Sequence, residues 1–502
     1  MLLKKYPGKK EFHKLVKEGT VVPVGIKILA DKETPVSILS RFAESSPNLF
    51  LLESAEGGEN WGRYSFLGIS AHAMITVYCH DVLLRQGIEE KRIPHNNDPF
   101  SVLRSVIKQY TLAQIPDMPP FCGGLVGYFA YESINFIEPK VPNTLPPDAP
   151  MAEFIIPETL LVFDNIAHTL DIIQLSYDVE EDTDRRYEAA IERVKEVHDL
   201  IVSTNPNQGI KNRTPLKIPQ PLTDPAHYKD MVKTVKKNIY EGDLIQCVLS
   251  QTFVGPAPDD LVSLYRAQRY INPSPYLYYI KTHGCTLIGS SPETMIRMNH
   301  RSACLRPIAG TRHRGSTEQE DRRLADELLQ DEKERAEHLM LVDLGRNELG
   351  RVSVPGSVQV TDLMVVERYS HVMHLVSNIT SDVEDKYDAF DLFKYSFPAG
   401  TLSGAPKIRA MEIIADLEDD PRGPYGGAVG YFSFDGNMDF AICIRTAEAR
   451  HGRLTVRTGA GIVADSDPDF ECQECINKAG GIARSIEMLK NMQESGEFLQ
   501  DV

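Results

Sequence analysis

The sequence predicts an α+β protein, built from antiparallel sheets with helices packed outside them. Two observations predict it. In the C-terminal half, strand-length apolar runs follow one another without helices alternating between them, unlike a parallel βαβ pattern. Stretches with helical spacing lie at the edges of those runs, at 183–203, 318–344 and 469–492. The chain has 502 residues, 42% of them apolar, enough for a substantial core and for two or three domains or one large elaborated one.

In chain order, the N-terminal part mixes short strand-like runs with turn clusters. Phe50 to Leu52, Ala73 to Leu83 and Phe121 to Tyr128 are such runs, the last containing Gly123, Gly124 and Gly127 where backbones can approach closely. Tyr187, Ile191, Val194, Val197 and Ile201 keep helical spacing between charged neighbours, which predicts an amphipathic helix over 183–203. The following segment is rich in Pro and Asn, with Pro206, Pro215, Pro219, Pro221 and Pro225. It divides the chain into an N-terminal region 1–203, a linker 204–227 and a second region 228–492. That second region begins with a helix from Tyr228 to Glu241, ended by Gly242. Strands are expected at Ile245–Phe253, Tyr276–Lys281, Thr286–Ser290 and Thr294–Ala309. A long helix follows from Glu318 to Leu344, then strands at Ala428–Phe434, Phe440–Glu448 and Arg453–Ile462, and a last helix from Asp469 to Met492. No internal repeat or low-complexity tract stands out.

The net charge of −17, from 54 basic and 71 acidic residues, argues against non-specific binding to nucleic acid or to an anionic membrane surface. It leaves room for an anionic substrate in a locally basic site. No apolar run approaches the roughly 20 residues that span a bilayer, and Met1 to Tyr6 does not read as a secretory signal. Eight scattered Cys fit reduced thiols and a cytoplasmic location. The single C-x-x-C, Cys472 to Cys475, has no second pair or nearby His ligands to complete a zinc site.

Three features point to chemistry. Glu334 and Glu337 lie on one face of the long predicted helix, and Glu471 and Glu474 on one face of the last, with Lys478 a turn further on. Two such faces meeting supply carboxylate oxygens for a hard cation such as Mg²⁺; apart, they are solvated charged faces. Arg335 stands three residues before His338, so the E-x-x-H pattern of di-iron bundles is absent. Glycine-rich backbone at Pro307–Arg312, Pro398–Lys407 and Gly459–Gly461 exposes N–H groups suited to carboxylates or phosphates, or simply turns the chain. None of these matches a P-loop or dinucleotide fingerprint. Finally, His374 and Arg445 interrupt apolar runs. A lone His there is more often a satisfied core residue, whereas a buried Arg is costly and suited to hold a carboxylate bidentately.

These blocks resemble one family. Gly289–Glu293, Arg306–Arg312, Glu334–Asn347, Phe397–Lys407 and Gly459–Ser466 look like the chorismate-utilising enzymes, over most of residues 225–490. That group includes anthranilate, aminodeoxychorismate, isochorismate and salicylate synthases, and its fold packs two large antiparallel sheets in a sandwich with outer helices. Within the group, isochorismate and salicylate synthases carry a Lys base where this chain has Gln246. Aminodeoxychorismate synthases carry a Lys where it has Ala309. Leu51–Ser54 and Trp61–Phe66 resemble the N-terminal region of anthranilate synthases, where the first segment forms part of a tryptophan feedback site.

The resemblance implies an anthranilate synthase large subunit that converts chorismate and ammonia to anthranilate and pyruvate. It implies Mg²⁺ held by Glu337 and Glu474, with Glu334 and Glu471 in the surrounding acidic shell. Arg445, Tyr425 and the backbone of Gly459, Ala460 and Gly461 would hold the enolpyruvyl carboxylate, and Gly310 and Thr311 match substrate-contacting positions. Glu293 would be the general acid and His374 the base that takes the C2 proton, with Thr401 nearby. Glu53, Ser54, Pro275, Tyr276 and Leu277 would contact the tryptophan inhibitor. No glutaminase block is found in the chain, so the ammonia is expected from a separate glutamine amidotransferase subunit. The sequence departs from its relatives at Thr252, Glu348, Cys472 and Cys475. The competing readings are an aminodeoxychorismate synthase, which would lack the elimination, a non-catalytic tryptophan sensor, and a metal-binding helical scaffold without a substrate.

Overall fold

Antiparallel pairing carries the architecture. The computed structural model describes residues 1–54, 62–177, 182–203, 214–368 and 372–495. Trp61 and residues 204–213 of the predicted linker lie outside them. One run of paired strands passes from Leu2–Tyr6 through Val21–Leu29, Thr169–Tyr177, Ala152–Asp164, Tyr64–Val77 and Leu49–Glu53. It continues through Tyr276–Lys281, Thr286–Ser291, Thr446–Arg450, Arg453–Ile462 and Gln246–Pro256. A second run branches from Ala152–Asp164 to Gly124–Phe129, Ala428–Ser433, Met438–Ile442, Thr294–Asn299, Ser302–Leu305 and Val372–Asp382. Strands from both sides of 204–227 therefore share edges: Leu277 lies opposite Glu53, and Val429 opposite Tyr128.

Alternation along single strands explains the layering. Tyr278 and Ile280 point into the core shared with Phe129, Phe154, Phe432 and Phe440, while Leu277 and Tyr279 point to the outer face. There the helices Pro35–Phe42, Thr183–Ser203, Leu261–Ile271 and Pro468–Ser495 cover them with Ile38, Val194, Leu264 and Ile482. The helix Ala389–Ser396 adds Phe390 and Phe393 to the inner core, their rings 4.2 Å from Phe432 and 4.5 Å from Phe129. The expected α+β sandwich with outer helices is what forms.

Four expected elements are broken: Thr294–Ala309 spans Thr294–Asn299, Ser302–Leu305 and the start of Ile308–His313, and the other three are each two. Thr294–Ala309 folds back at His300 and Arg301, both at positive φ (45° and 68°), as a tight hairpin turn requires. The helix expected over Glu318–Leu344 breaks at Asp331, whose carboxylate caps the second helix by accepting from the N–H groups of Lys333 and Glu334, both at 3.1 Å. Ala73–Leu83 turns between Val77 and Asp81. Phe440–Glu448 breaks around Arg445, at φ 51°. No helix among the described residues is long and apolar enough to cross a membrane.

Candidate active site

A cavity of about 210 Å³ opens where the two runs of strands meet, and eight of the residues singled out above line it: Glu293, Thr311, His374, Thr401, Tyr425, Arg445, Gly459 and Gly461. Three breaks in regular structure bring them there. Glu293 sits between the strands Thr286–Ser291 and Thr294–Asn299. Thr401 lies on the single turn Gly400–Leu402. Arg445 lies between Met438–Ile442 and Thr446–Arg450, its carbonyl accepting from Gln268 Nε2 (2.6 Å) and Ser290 N (3.3 Å). A left-handed Arg stores roughly 1–3 kcal/mol of backbone strain, held in place by those two donors.

Glu293 is half-buried in the cavity wall, and the Thr401 hydroxyl donates to its Oε1 at 3.0 Å. Burial raises its pKa to about 7, against the opposing pull of Thr401 and the charge of Lys478. It can therefore carry a proton near neutral pH. His374 Nδ1 lies 3.2 Å from the Gly310 carbonyl and 3.0 Å from the Thr311 hydroxyl. A carbonyl only accepts, so that contact assigns the proton to Nδ1 and leaves Nε2 as the basic nitrogen. Burial holds the ring below its usual pKa, in the neutral form a base needs. The Arg445 guanidinium has no hydrogen-bond or carboxylate partner among the described residues, and burial lowers its pKa with Arg484 adding to the effect. The cavity thus presents an acid, a neutral imidazole and an uncompensated cation together.

Gly310 stands in a bulge of the strand Ile308–His313, at φ 62°. A Cβ there would meet Leu328 Cδ1 at 2.9 Å and Glu334 Oε2 at 3.2 Å. Gly310→Ala is expected to cost about 1–3 kcal/mol of stability, read as a lower denaturant midpoint, and to lower turnover by displacing the carbonyl that holds His374. Gly459 is equally constrained, since a Cβ would lie 2.6 Å from Leu249 O and 2.7 Å from the Tyr425 hydroxyl. Ala460 turns its methyl away from the cavity into the core beside Leu249 and Tyr228. Lys478 reaches the cavity as well, its Nζ donating to Gly459 O at 2.8 Å.

The acidic helices face each other. Burial first, then the charges of Glu334 and Glu474, raises the pKa of Glu337, and the charge of Glu474 adds to the burial that raises Glu471. Carboxylates on separate helices thus repel one another, as a facing oxygen-ligand pair does before a cation is bound. Glu334 meanwhile pairs with Arg312 (3.4 Å) and Glu474 with Lys478 (2.6 Å). No group of three or more His, Cys, Asp or Glu side chains is gathered to hold a metal among the described residues.

A second cavity, also about 210 Å³, contains Glu53, Ser54, Pro275, Tyr276 and Leu277 together with Asp439 and Arg297. The Glu53 carboxylate is already engaged by Tyr265 OH at 2.5 Å and Arg269 Nε at 2.7 Å. Tyr276 OH donates to Asp439 at 2.8 Å and lies 3.1 Å from the Thr294 hydroxyl, next to Glu293.

The departures from relatives have local explanations in part. Glu348 is buried against Lys407, behind the Thr401 turn. The Cys475 thiol lies 3.3 Å from the Tyr228 hydroxyl, and Cys472 Sγ accepts from the Gln251 amide at 3.5 Å; both are free thiols. The Thr252 hydroxyl is buried with no hydrogen bond among the described residues, which nothing in the structure explains. Glu418, Arg422 and Arg457, a buried charge cluster against the cavity wall, carry no signal in the sequence.

Comparison with known proteins gives the family and the fold. Residues 50–484 match the family described as chorismate binding enzyme. The chain is 42% identical over 501 residues to anthranilate synthase component 1 of Acetivibrio thermocellus, covering 98% of this chain and 99% of that one. Among solved structures, it resembles anthranilate synthase component I of Streptococcus pneumoniae with a TM-score of 0.75 and 36% identity, over 86% of this chain and 93% of that one. The menaquinone-specific isochorismate synthase of Escherichia coli matches with a TM-score of 0.69 at 19% identity, over 95% of this chain and 99% of that one, a likeness of fold.

Proposed function

The chain belongs to the chorismate binding enzyme family, and from that premise we propose that it is an anthranilate synthase large subunit, which aminates chorismate and eliminates pyruvate. The observation that carries this reading is the Arg445 guanidinium, unpartnered among the described residues, in one cavity with Glu293 and His374. Chorismate carries two carboxylates and a hydroxyl that must leave, and needs a cation, an acid and a base.

Arg445 and the Gly459–Gly461 backbone take the enolpyruvyl carboxylate, with the Tyr425 hydroxyl beside Gly459. Ammonia adds at C2 while the C4–O bond breaks. Glu293 delivers its proton to that oxygen, which leaves as water, and the new ammonium loses a proton. His374 Nε2 then takes the C2 proton as the C3–O bond breaks, and the released enolpyruvate becomes pyruvate on protonation. The ring is left aromatic as anthranilate. Gln246 cannot act as the Lys base that activates water in isochorismate synthases, so ammonia is the nucleophile. In this reading Glu337 and Glu474 would hold Mg²⁺, with Glu334 and Glu471 in the surrounding acidic shell. Bound there, the ion would supply positive charge to the ring carboxylate.

The second cavity is the proposed tryptophan feedback site, at the seam between the regions 1–203 and 228–492. Filling it with Ser54→Phe is expected to weaken tryptophan inhibition about tenfold or more, measured as the tryptophan concentration that halves the rate. Ammonia is proposed to come from a glutamine amidotransferase partner, and the protein to work in the cytoplasm.

The test is turnover of chorismate by the purified chain, followed by product fluorescence. With Mg²⁺ and an ammonium salt the chain should produce anthranilate. A chelator should stop the reaction, and added Mg²⁺ should restore it. Glutamine alone should support no turnover until the amidotransferase is added. Turnover with glutamine alone, or undiminished by the chelator, contradicts the corresponding part of the proposal.

A further inference from the structure

Three buried charges that the proposed chemistry does not use lie at and behind the wall of the catalytic cavity, of which Arg457 alone lines it. The Glu418 side chain is 3% exposed and lies between Arg422 and Arg457, 2% and 5% exposed. Its carboxylate accepts from Arg422 Nε and Nη2 (2.8 and 2.7 Å), Arg457 Nη2 (2.8 Å), and the backbone N–H and hydroxyl of Ser250 (both 2.8 Å). Burying such a cluster is expensive, and an apolar replacement would often be as stable. Stability alone therefore accounts poorly for it.

What the cluster reaches is specific. Arg422 Nη1 donates to the carbonyl of Leu402, and Nη2 to that of Val248, both at 2.7 Å. Leu402 and Val248 line the catalytic cavity from two different segments. Leu402 directly follows Thr401, whose hydroxyl donates to Glu293. Val248 N in turn donates to Ser403 O at 2.9 Å, so the Gly400–Leu402 turn and the strand Gln246–Pro256 are tied together at two points. Arg422 is itself anchored from the other half of the chain. Buried Glu132 accepts from the backbone N–H of Arg422 (2.6 Å) and of Gly423 (3.1 Å), and the Arg422 guanidinium stacks on the Tyr131 ring at 4.5 Å. Arg457 fixes the remainder of the loop through the carbonyls of Asp420 (2.9 Å) and Pro421 (2.6 Å).

We propose that Arg422 is a positioning residue for the Glu293–Thr401 pair: its guanidinium sets the Gly400–Leu402 turn, and Glu132 from the N-terminal region sets Arg422. The inference rests on the reading of Glu293 as the acid. It assigns Arg422 no contact with chorismate. Loss of Arg422 acts through the Thr401 hydroxyl, so the two residues belong to one functional unit.

The experiment is a double-mutant cycle with steady-state kinetics on the full chain, using ammonium, Mg²⁺ and chorismate. Arg422→Lys keeps the charge and loses the forked contact. It is expected to lower kcat about 10- to 100-fold, with KM for chorismate changed less than about threefold. Combined with Thr401→Val, it should lower kcat no further than the worse single variant. Glu132→Gln keeps the Arg422–Glu418–Arg457 cluster whole and provides the cycle if Arg422→Lys does not fold. It should show a smaller loss of kcat and the same non-additivity with Thr401→Val. Losses that multiply in the double variants overturn the inference and leave the proposed function standing, as does a fall in melting temperature with kcat unchanged. Full kcat in Thr401→Val or in Glu293→Gln removes the premise, and the inference with it.

Discussion

Glu293→Gln is expected to lower kcat for chorismate by about 100- to 10,000-fold, the range for losing a general acid, with little change in KM. The substitution is close to isosteric. The amide oxygen can still accept the Thr401 hydroxyl that now lies 3.0 Å from Oε1, so the turn and the cavity should keep their shape. What disappears is the proton. In the wild-type chain burial raises the carboxyl to about 7, so near neutral pH about half of the molecules hold it protonated. The sign follows directly. The acid form acts, so kcat/KM measured at fixed free ammonia should fall as pH rises through about 7. Thr401→Val removes a hydrogen bond that lowers the pKa, so it should move that limb upward. A Gln variant within a few-fold of wild type would show that the leaving hydroxyl takes its proton from elsewhere.

Arg445→Ala should act on the other side of the energetics. Removing the only cation proposed to hold the enolpyruvyl carboxylate is expected to lower kcat/KM by about 100- to 1,000-fold, equivalent to about 3–4 kcal/mol of transition-state binding. Arg445→Lys should recover only part of this, because an ammonium cannot form the planar two-bond contact. The same substitution should make the protein more stable. The guanidinium is desolvated, lies near Arg484, and has no carboxylate partner among the described residues. Arg445→Gly should gain more than Arg445→Ala, since glycine relieves the left-handed φ of 51°. Lower activity with a higher melting temperature is the signature of a residue kept for function. Lower activity with lower stability would mean that Arg445 supports the fold.

Much of the fold and of the candidate site can be read from local sequence. The apolar runs Tyr276–Lys281 and Arg453–Ile462, and the amphipathic helix at 183–203, have the expected bounds. The missed boundaries share a cause. His300–Arg301, Asp331 and Arg445 all interrupt apparently continuous patterns with a change in backbone direction. No glycine or proline marks those positions; the Arg445 turn is held from outside its own segment, by the Gln268 and Ser290 donors to its carbonyl, whereas Asp331 caps its helix locally. The strands Ala152–Asp164 and Thr169–Tyr177 are buried on both faces, so they lack the alternation that identifies a strand.

The site divides in the same way. Glu293, His374 and Arg445 are visible as motif members or as polar residues in apolar runs. Arg422, Glu418 and Glu132 are not, because ordinary charged residues gain meaning only when Glu132 meets a loop some 290 residues away. At Ala460 strand alternation turns the methyl into the core, so only its backbone is left for the contact proposed for Gly459–Gly461.

The most direct test of the central claim is to identify the products formed from chorismate and ¹⁵N-labelled ammonium by the purified chain with Mg²⁺, using mass spectrometry with a coupled assay for pyruvate. The account predicts labelled anthranilate and pyruvate in equal amounts. A labelled product that still carries its pyruvyl group would contradict the elimination proposed for His374 and point to an aminodeoxychorismate synthase. An unlabelled hydroxylated product would contradict ammonia as the nucleophile.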